Sequence, residues 1–450
     1  MDRNDKIMLG AYAAKQCPLR VFREHDPFEM AESAEPDEDL QALFDDGHAF
    51  EDDVVAALKA VWGRRMVVVP DRNTAVASLR QQATMDAIDK GMKVIAGALL
   101  SPDRVGGRLS EVDVLIRVDG RDRGSGVRYL PVDIKNHRCT KNAEAGAPDV
   151  LEQFDGTASE EPLAPRYHEG DCIQLAHYHR HLQALGLAEP VDDAEVGVWA
   201  GVIGTEGLIA WHDLTEPAFS TLTPQRVGTG ANQSMKFHRR SHSTRRTALD
   251  RYDFEFEFRR DLAAKATSRT SARTKVPVLP VKVNECATCS WHDVCDAELV
   301  AKDDVSLVRS VSYPEWALHR FVGTETTSQL AVLDIATARL MVEHGADVLA
   351  DALDWADSAS PRARTASAGW PGLSDAGLTT AGSLMKGLCQ ESLAYGDDPM
   401  KPKMLLEQIE CQTLVEQYFV PKHNPYWKIP LYQVGIFSVE QSMIPHPLVH

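Results

Sequence analysis

Two short segments of alternating polar and apolar residues, separated by a Gly-rich stretch, constrain the fold of this chain most strongly. RLSEVDVLIRV (108–118) and VRYLPVDIKNH (127–137) flank the stretch DGRDRGSG. Alternation with a period of two is typical of a β-strand. A Gly-rich turn between two such strands predicts a β-hairpin. On the first strand, Asp113 lies on the face opposite Val112 and Val114.

The segments around the hairpin alternate between helical and strand patterns. Apolar residues recur at helical spacing in DEDLQALFDDGHAFEDDVVAALKAVW (37–62), and 74–92 and 171–187 are further helices. KVIAGALL (93–100) is a short apolar strand, and AEVGVWAGVIG and LIAWHDL are two more. This order predicts an α/β protein whose mixed sheet is flanked by helices.

Asp113, Asp133 and Lys135 form a minimal set for phosphodiester hydrolysis. Two carboxylates on neighbouring strands, with the carbonyl of Ile134, are the oxygen ligands that a hard divalent cation needs. Lys135 follows Asp133 by two residues and shares its face, where an ammonium group can orient a water molecule or stabilise developing charge. Bound Mg²⁺ or Mn²⁺ would polarise a phosphate. Asp-x-Lys is also a common solvated surface pair, but Asp113 among apolar neighbours favours a site.

Cysteines suggest a second inorganic site. Cys286, Cys289 and Cys295, in CATCSWHDVC, place three thiolates within ten residues, and a closed site needs a fourth ligand. With no signal-peptide pattern and no apolar run of membrane-spanning length, a cytoplasmic protein is the expectation. Cysteines in that compartment are more often metal ligands or buried thiols than disulfides. Spacing does not separate an iron–sulfur cluster from zinc, and His292 and Cys139 are substitute ligands.

The charge distribution is uneven. A net charge of −18 over 450 residues argues against nucleic acid as a partner. Residues 236–275, however, contain twelve Lys or Arg and five Asp or Glu. Arg239, Arg240, Arg245 and Arg246 in this basic segment are candidate DNA contacts. A solvated loop is the alternative interpretation of the same residues.

Short helical segments dominate residues 301–450, unlike the part before them. They predict a mainly helical C-terminal domain. GTETTSQL (323–330) and GLTTAGSL (377–384) share Gly-x-x-Thr-x-x-x-Leu. In each copy the glycine is expected to turn the chain and the threonine to cap the next helix. The pair is a candidate repeat of helix-hairpin-helix type.

The motifs GHAFE, SEVDVLI, VDIKNH and QLAHY, in this order, resemble the PD-(D/E)XK nucleases of the RecB-like exonuclease branch. The resemblance covers residues 10–300 and implies a restriction-endonuclease-like nuclease domain over 1–300. It implies that Asp113, Asp133 and Lys135 are the catalytic core. Glu51 of the preceding helix is implied as a further acidic contributor to metal binding.

Two further positions follow from the same resemblance. Gln174 and Tyr178 match the Gln-x-x-x-Tyr signature of the branch, which implies that they help to hold the active site and the DNA strand. Many relatives carry a histidine directly before the helix glutamate, where this chain has Phe50. His48, three residues before Glu51, is the alternative metal ligand.

The iron–sulfur members of the branch, similar to AddB-type and CRISPR-associated exonucleases, join an early Cys-Pro to a late Cys-x2-Cys-x5-Cys. The resemblance therefore implies that Cys17, Cys286, Cys289 and Cys295 hold a 4Fe–4S cluster, with zinc as the alternative. Such a site would tie together two distant parts of the chain.

These observations lead to two functional hypotheses. The first is a Mg²⁺- or Mn²⁺-dependent deoxyribonuclease, an exonuclease acting on single-stranded DNA or DNA ends in repair or recombination. The second is a catalytically weak module that binds DNA or a repair protein. The chain has no Gly-x-x-x-x-Gly-Lys-Ser/Thr loop, so ATP-driven unwinding would come from a partner helicase.

Overall fold

The computed structural model describes residues 7–29, 38–118, 127–142, 151–161, 163–188, 197–220, 224–227, 234–237, 245–307 and 313–343. The chain divides into two compact units. The first comprises Met1–Met30, Pro36–Phe219 and Arg245–Lys275, and the second comprises Ala31–Glu35, Ser220–Thr244 and Val276–His450. The domain boundary predicted at residue 300 falls inside the second unit.

The strands are short, and most belong to the first unit. They are β1 (Met66–Val68), β2 (Val94–Leu99), β3 (Glu111–Arg117), β4 (Tyr129–Ile134), β5 (Thr140–Asn142), β6 (Leu151–Glu152), β7 (Leu163–Pro165), β8 (Trp199–Ile203), β9 (Ile209–Asp213), β10 (Phe219–Ser220), β11 (Pro224–Val227), β12 (Ser234–Phe237) and β13 (Arg245–Arg246). A seven-stranded sheet has the order β1-β2-β3-β4-β8-β9-β6. It is mixed, because β1 with β2 and β4 with β8 are parallel pairs, whereas β3 with β4 is antiparallel.

The predicted hairpin is confirmed at the centre of this sheet. β3 and β4 pair antiparallel, with Val114 opposite Val132 and Leu115 opposite Pro131. The predicted strand at 93–100 is also confirmed as β2, which pairs with β3 on the side away from β4. The Gly-rich turn at 119–126 lies outside the described residues. The hairpin therefore has a neighbouring strand on both sides, β2 and β8, which holds its position in the sheet.

Helices account for much of the remaining chain. They are α1 (Pro18–Glu24), α2 (Glu38–Trp62), α3 (Ala77–Asp89), α4 (Glu169–Ala184), α5 (Ala248–Thr267), α6 (His292–Lys302), α7 (Tyr313–Phe321), α8 (Thr327–Ala331) and α9 (Ile335–Glu343). The helices predicted at 37–62, 74–92 and 171–187 are confirmed as α2, α3 and α4. None of the helices in the described ranges is both long and apolar enough to cross a membrane.

Helices cover both faces of the sheet, as predicted for an α/β protein. On one face, Val54 and Leu58 of α2 pack in a cluster with Val114 of β3. On the other, Leu175 of α4 packs in a separate cluster that includes Leu115 of β3. Burying such a side chain fully contributes roughly 1.5–3 kcal/mol. These two apolar clusters therefore hold α2 and α4 against the strands that carry the acidic residues.

The first copy of the Gly-x-x-Thr motif, in the second unit, behaves as predicted. Gly323 follows α7 with φ +82°, a left-handed conformation that favours glycine. The Thr326 hydroxyl accepts a hydrogen bond from Gln329 N, and the Gln329 side chain accepts one from Thr326 N. This reciprocal capping box starts α8. The second copy, at 377–384, lies outside the described residues.

Candidate active site

Two acidic side chains face each other at the end of the β3–β4 hairpin. The register that pairs Val114 with Val132 continues by one residue, which puts Asp113 opposite Asp133. Side chains directly opposite each other in an antiparallel pair have Cβ atoms about 4.5–5.5 Å apart. The Asp133 side chain has no exposed surface. The hairpin thus places two carboxyl groups side by side, one of them wholly buried.

Asp113 is anchored by the backbone of the facing strand. Its Oδ2 accepts a hydrogen bond from the Ile134 amide over 2.7 Å. Burial raises the pKa of Asp113 well above its ordinary value, and the adjacent Asp133 carboxylate raises the pKa further. Asp113 therefore resists carrying a negative charge beside Asp133 unless a cation lies between them.

Lys135 supplies a cation from the same strand end. Its Nζ lies 2.6 Å from Asp133 Oδ2, and only 15% of its side chain is exposed. Burial alone would lower the pKa of Lys135, but Asp133, Tyr12 and Asp113 outweigh burial and raise it. The ammonium group is therefore charged at every physiological pH. It is a fixed positive charge and not a proton donor in that range.

Gln174 of α4 joins the acidic and basic parts of the site. Its amide nitrogen donates to Asp133 Oδ1 over 3.2 Å and to the Tyr178 hydroxyl over 2.8 Å. Its carbonyl oxygen accepts from Lys135 Nζ over 3.2 Å. Gln174 and Tyr178 lie on one face of α4 because they are four residues apart. The structure therefore brings together five of the predicted residues: Asp113, Asp133, Lys135, Gln174 and Tyr178.

A second ammonium group in the site was not anticipated from the sequence. Lys15 Nζ donates to the same Gln174 carbonyl over 2.6 Å. Burial lowers the pKa of Lys15 to about 8, and the neighbouring charge of Lys135 contributes to the lowering. Lys15 lies 159 residues before Gln174, and no spacing in the sequence links the two. Only the proximity of Lys15 to Cys17 in the chain could have drawn attention to it.

Glu51 lies on the sheet-facing side of α2, three residues before the buried Val54. Burial raises the pKa of Glu51, and the charge of Asp133 is among the groups that raise it further. Glu51 in turn contributes to the raised pKa of Asp113. The negative charges of this site therefore raise the pKa values of both Glu51 and Asp113. His48 is exposed and Phe50 is half-buried.

The donor set of this site suits a hard divalent cation. Asp113 and Asp133 offer neighbouring carboxylate oxygens, the ligand type that Mg²⁺ and Mn²⁺ prefer, and Glu51 is near enough to raise the Asp113 pKa. Asp133 Oδ2 contacts the Lys135 ammonium but accepts no hydrogen bond of normal geometry from the described residues. A cation would neutralise the repulsion that raises the Asp113 pKa. The residues present therefore fit an oxygen-bound metal ion.

No protein-family model, curated protein or solved structure matches this chain. The chemistry of the site therefore rests on its own donor and acceptor atoms. These are a close carboxylate pair, two ammonium groups and the side-chain amide of Gln174, which forms hydrogen bonds with groups of both charges.

Three of the predicted cluster ligands lie together in the second unit, while Cys17 directly precedes α1 in the first. Cys286 lies in a short 3-10 helix, Cys289 caps it, and Cys295 is in the first turns of α6. The Val283 amide donates to Cys286 Sγ over 3.4 Å. Amide hydrogen bonds to sulfur are a feature of thiolate clusters. The role of these cysteines as ligands of one centre stays a prediction.

The predicted basic contacts are described only in part. Arg239 and Arg240 lie outside the described residues. Arg245 and Arg246 form β13, directly before the Thr247 cap of α5. The Thr247 hydroxyl accepts from Asp250 N over 3.0 Å. The role of the four arginines as DNA contacts stays a prediction.

Proposed function

We propose that this chain is a metal-dependent nuclease that hydrolyses phosphodiester bonds of DNA, with single strands or DNA ends as substrate. The observation that carries the proposal is the Asp113–Asp133 pair with Lys135, directly after the same strand, ion-paired to Asp133. A buried carboxylate pair, in which Asp113 has a raised pKa, is a costly arrangement for folding alone. A bound cation would offset the free-energy cost of burying the two carboxylates, and a phosphate could then bind to that cation.

Asp113 and Asp133 would hold Mg²⁺ or Mn²⁺, with Glu51 and the Ile134 carbonyl as further oxygen ligands. When bound, such a cation polarises a phosphate and lowers the pKa of a water molecule. Asp113 is pre-positioned for this role by the Ile134 amide, which donates to its Oδ2 over 2.7 Å. The hairpin thus sets the spacing between the two carboxylates before any ligand arrives.

Lys135 and Lys15 would stabilise negative charge on the phosphate. Lys135 remains protonated because its pKa is raised, so its contribution is electrostatic. Gln174 keeps both ammonium groups at one carbonyl oxygen and Asp133 at its amide. This network orients the reacting groups and limits their reorganisation during the reaction.

A nuclease assay on the full-length chain tests the proposal. End-labelled single-stranded DNA and Mn²⁺ are incubated with wild type, Asp133→Asn and Lys135→Met. We expect cleavage by wild type and a loss of at least about 100-fold in each variant. Asp155→Asn and Lys265→Met, which alter exposed residues, are the matched controls and should cleave normally. Cleavage that survives in Asp133→Asn and Lys135→Met would contradict the proposal.

A non-catalytic DNA-binding or repair-partner module is the second candidate. The observation that favours it is the exposure of His48, the only histidine near Glu51 in the sequence. Fluorescence anisotropy with the same DNA separates the two functions. Binding without cleavage by wild type, in Mg²⁺ and in Mn²⁺, would favour the module.

The cofactor and partner proposals are separate from the hydrolytic site. Cys17, Cys286, Cys289 and Cys295 would hold a 4Fe–4S cluster, with zinc as the alternative, since four thiolates suit both. Unwinding of duplex DNA would require a helicase as partner, because the sequence contains no phosphate-binding loop of the Gly-x-x-x-x-Gly-Lys-Ser/Thr type.

A further inference from the structure

Two histidines and one carboxylate form a separate cluster near the candidate active site. One ligand atom from each of His137, His168 and Asp171 lies within 4.8 Å of the others. His137 follows Lys135 by two residues, and Asp171 precedes Gln174 by one turn of α4. The cluster is therefore adjacent to the carboxylate pair but shares no residue with it.

The His137 segment is held in place by the loop that follows β8. The Thr205 amide donates to the His137 carbonyl over 3.1 Å. The Glu206 carboxylate accepts from the Cys139 amide over 3.2 Å and from the Thr140 amide over 2.9 Å. A side chain on Gly204 would lie 2.6 Å from the His137 carbonyl oxygen, so the close approach requires glycine. His137 is thus positioned by long-range contacts.

His168 has a ring nitrogen that the fold leaves unused. It occupies the N-cap position of α4, yet its side chain makes no capping hydrogen bond. Its Nε2 is buried and has no hydrogen-bond partner among the described residues. The same ring is hydrogen-bonded to the backbone of Arg138. A histidine held through one ring nitrogen by a carbonyl, with the other nitrogen available, is the usual arrangement of a metal-binding histidine.

Asp171 completes the set from the first turn of α4. Its Oδ2 lies 3.0 Å from His137 Nε2, and only 11% of its side chain is exposed. The ring planes of His137 and His168 meet edge to face, with centroids 4.8 Å apart. His137 and Asp171 are hydrogen-bonded to each other, which explains why these two of the three side chains lie close together. This hydrogen bond does not account for the buried Nε2 of His168.

We propose that His137, His168 and Asp171 bind a divalent cation of the zinc class. Two imidazoles and a carboxylate are ligands for zinc, whereas magnesium prefers oxygen ligands alone. Tetrahedral ligands about 2.0–2.1 Å from zinc are roughly 3.3 Å apart. The His137–Asp171 pair is 3.0 Å apart, and the other pairs, which lie within 4.8 Å, would close by at most about 1.5 Å. A fourth position stays open for water or a phosphate oxygen.

Such an ion would fasten the beginning of α4 to the segment that follows β4. Asp171 and Gln174 lie about one turn apart on α4, and Lys135 and His137 are two residues apart. The ion would therefore fix the distance between Gln174 and Lys135 from a point outside the carboxylate site. This role does not depend on whether the chain cleaves DNA.

Zinc binding to the full-length protein tests this inference. Equilibrium dialysis against Zn²⁺ in excess Mg²⁺, followed by metal quantification, would give the number of equivalents per chain. We expect His168→Ala and Asp171→Asn to bind one equivalent fewer than wild type. Asp155→Asn, which changes an exposed residue, should bind as many as wild type, and Asp113→Asn should do so as well when zinc does not occupy the carboxylate pair. All variants keep the cysteines, so thiolate-bound metal cancels in the comparison.

Thermal unfolding provides the second readout. Zn²⁺ should raise the melting temperature of wild type and of Asp113→Asn, and should leave that of His168→Gln unchanged. Equal zinc content in wild type and His168→Ala would overturn the inference. A loss of the equivalent in Asp113→Asn but not in His168→Ala would also overturn it, since zinc would then occupy the carboxylate site. Neither measurement uses DNA, so a failed nuclease proposal leaves this test intact.

Discussion

The side-chain amide of Gln174 donates to Asp133 Oδ1 over 3.2 Å, which ties α4 directly to the buried carboxylate of β4. The opposite end of the same amide accepts from two ammonium groups. Gln174 therefore complements both signs of charge in the site, and no charged residue of similar size could do so.

Replacement of Gln174 by the similarly shaped methionine should damage both stability and activity. Gln174→Met leaves Lys15 and Lys135 without their shared acceptor, and unsatisfied buried polar groups cost about 1–3 kcal/mol each. We expect a loss of that order in the free energy of unfolding, measured by urea denaturation. Any nuclease activity should fall about 10–100-fold, as for other outer-shell partners of metal ligands.

Gln183→Met is the matched control, because Gln183 lies on the same helix and bonds to Arg180 instead. It should unfold and cleave nearly as wild type does. Equal effects of the two substitutions would mean that the helix, and not the Gln174 network, is what matters.

The two aspartates should respond to neutralisation in opposite directions. With a chelator present at pH 7, Asp113→Asn removes a carboxyl group whose pKa is raised by burial and by Asp133. We expect the free energy of unfolding to increase by about 1–2 kcal/mol. Asp133→Asn leaves the buried Lys135 cation without its ion-pair partner. It should decrease that free energy by about 2–4 kcal/mol.

The direction of the Asp113 pKa shift determines the pH range in which Asp113→Asn changes the free energy of unfolding. A raised folded-state pKa means that the native state binds more protons than the unfolded state above the ordinary aspartate pKa. Wild-type stability therefore falls as the pH rises through that range, and the gain in Asp113→Asn should vanish in acid. Denaturation at pH 3 and pH 7 checks this, and a gain that persists at pH 3 would refute the electrostatic explanation.

Lys15 should make stability depend on pH on the alkaline side. Its pKa falls from 10.5 to about 8 in the folded protein, first because of burial and then because of Lys135. Between these values the unfolded state binds more protons, so wild-type stability should rise with pH there. Each pKa unit corresponds to about 1.4 kcal/mol, which gives a total of about 3–4 kcal/mol.

Lys15→Met should lack this rise and should be more stable than wild type at pH 7. The difference between the two unfolding free energies, measured at pH 7, 9 and 10.5, is the test. Lys265→Met, at an exposed ion pair on α5, should follow the wild-type curve. A constant difference across the three pH values would show that Lys15 does not titrate in this range.

The cysteine site predicts a spectroscopic change. Purified anaerobically, wild type should show the broad visible absorption of thiolate-bound iron, and Cys286→Ala should lose it together with solubility. Cys172→Ala, which changes a buried thiol of α4, should keep the colour. Colourless wild type that contains zinc would favour the zinc alternative. Full colour in Cys286→Ala would exclude that residue as a ligand.

Part of this structure was predictable because its signals are local. Alternation over 108–118 and 127–137 requires only neighbouring residues, and it correctly predicted β3, β4 and their hairpin pairing. The capping of α8 by Thr326 was predictable for the same reason, since the cap and its partner are three residues apart. The strands β5, β6 and β7 span only two or three residues each. They are too short to show a period.

By itself the sequence determined which residues share a strand or a helix face: Asp133 with Lys135, and Gln174 with Tyr178. Only the tertiary structure decided that α4 packs over β4, so that Gln174 meets Asp133 and Lys15 joins them from 159 residues away. It also decided that His137, His168 and Asp171 converge. Periodicity is a property of a few adjacent residues, whereas these contacts exist because two apolar clusters hold helices against both faces of one sheet.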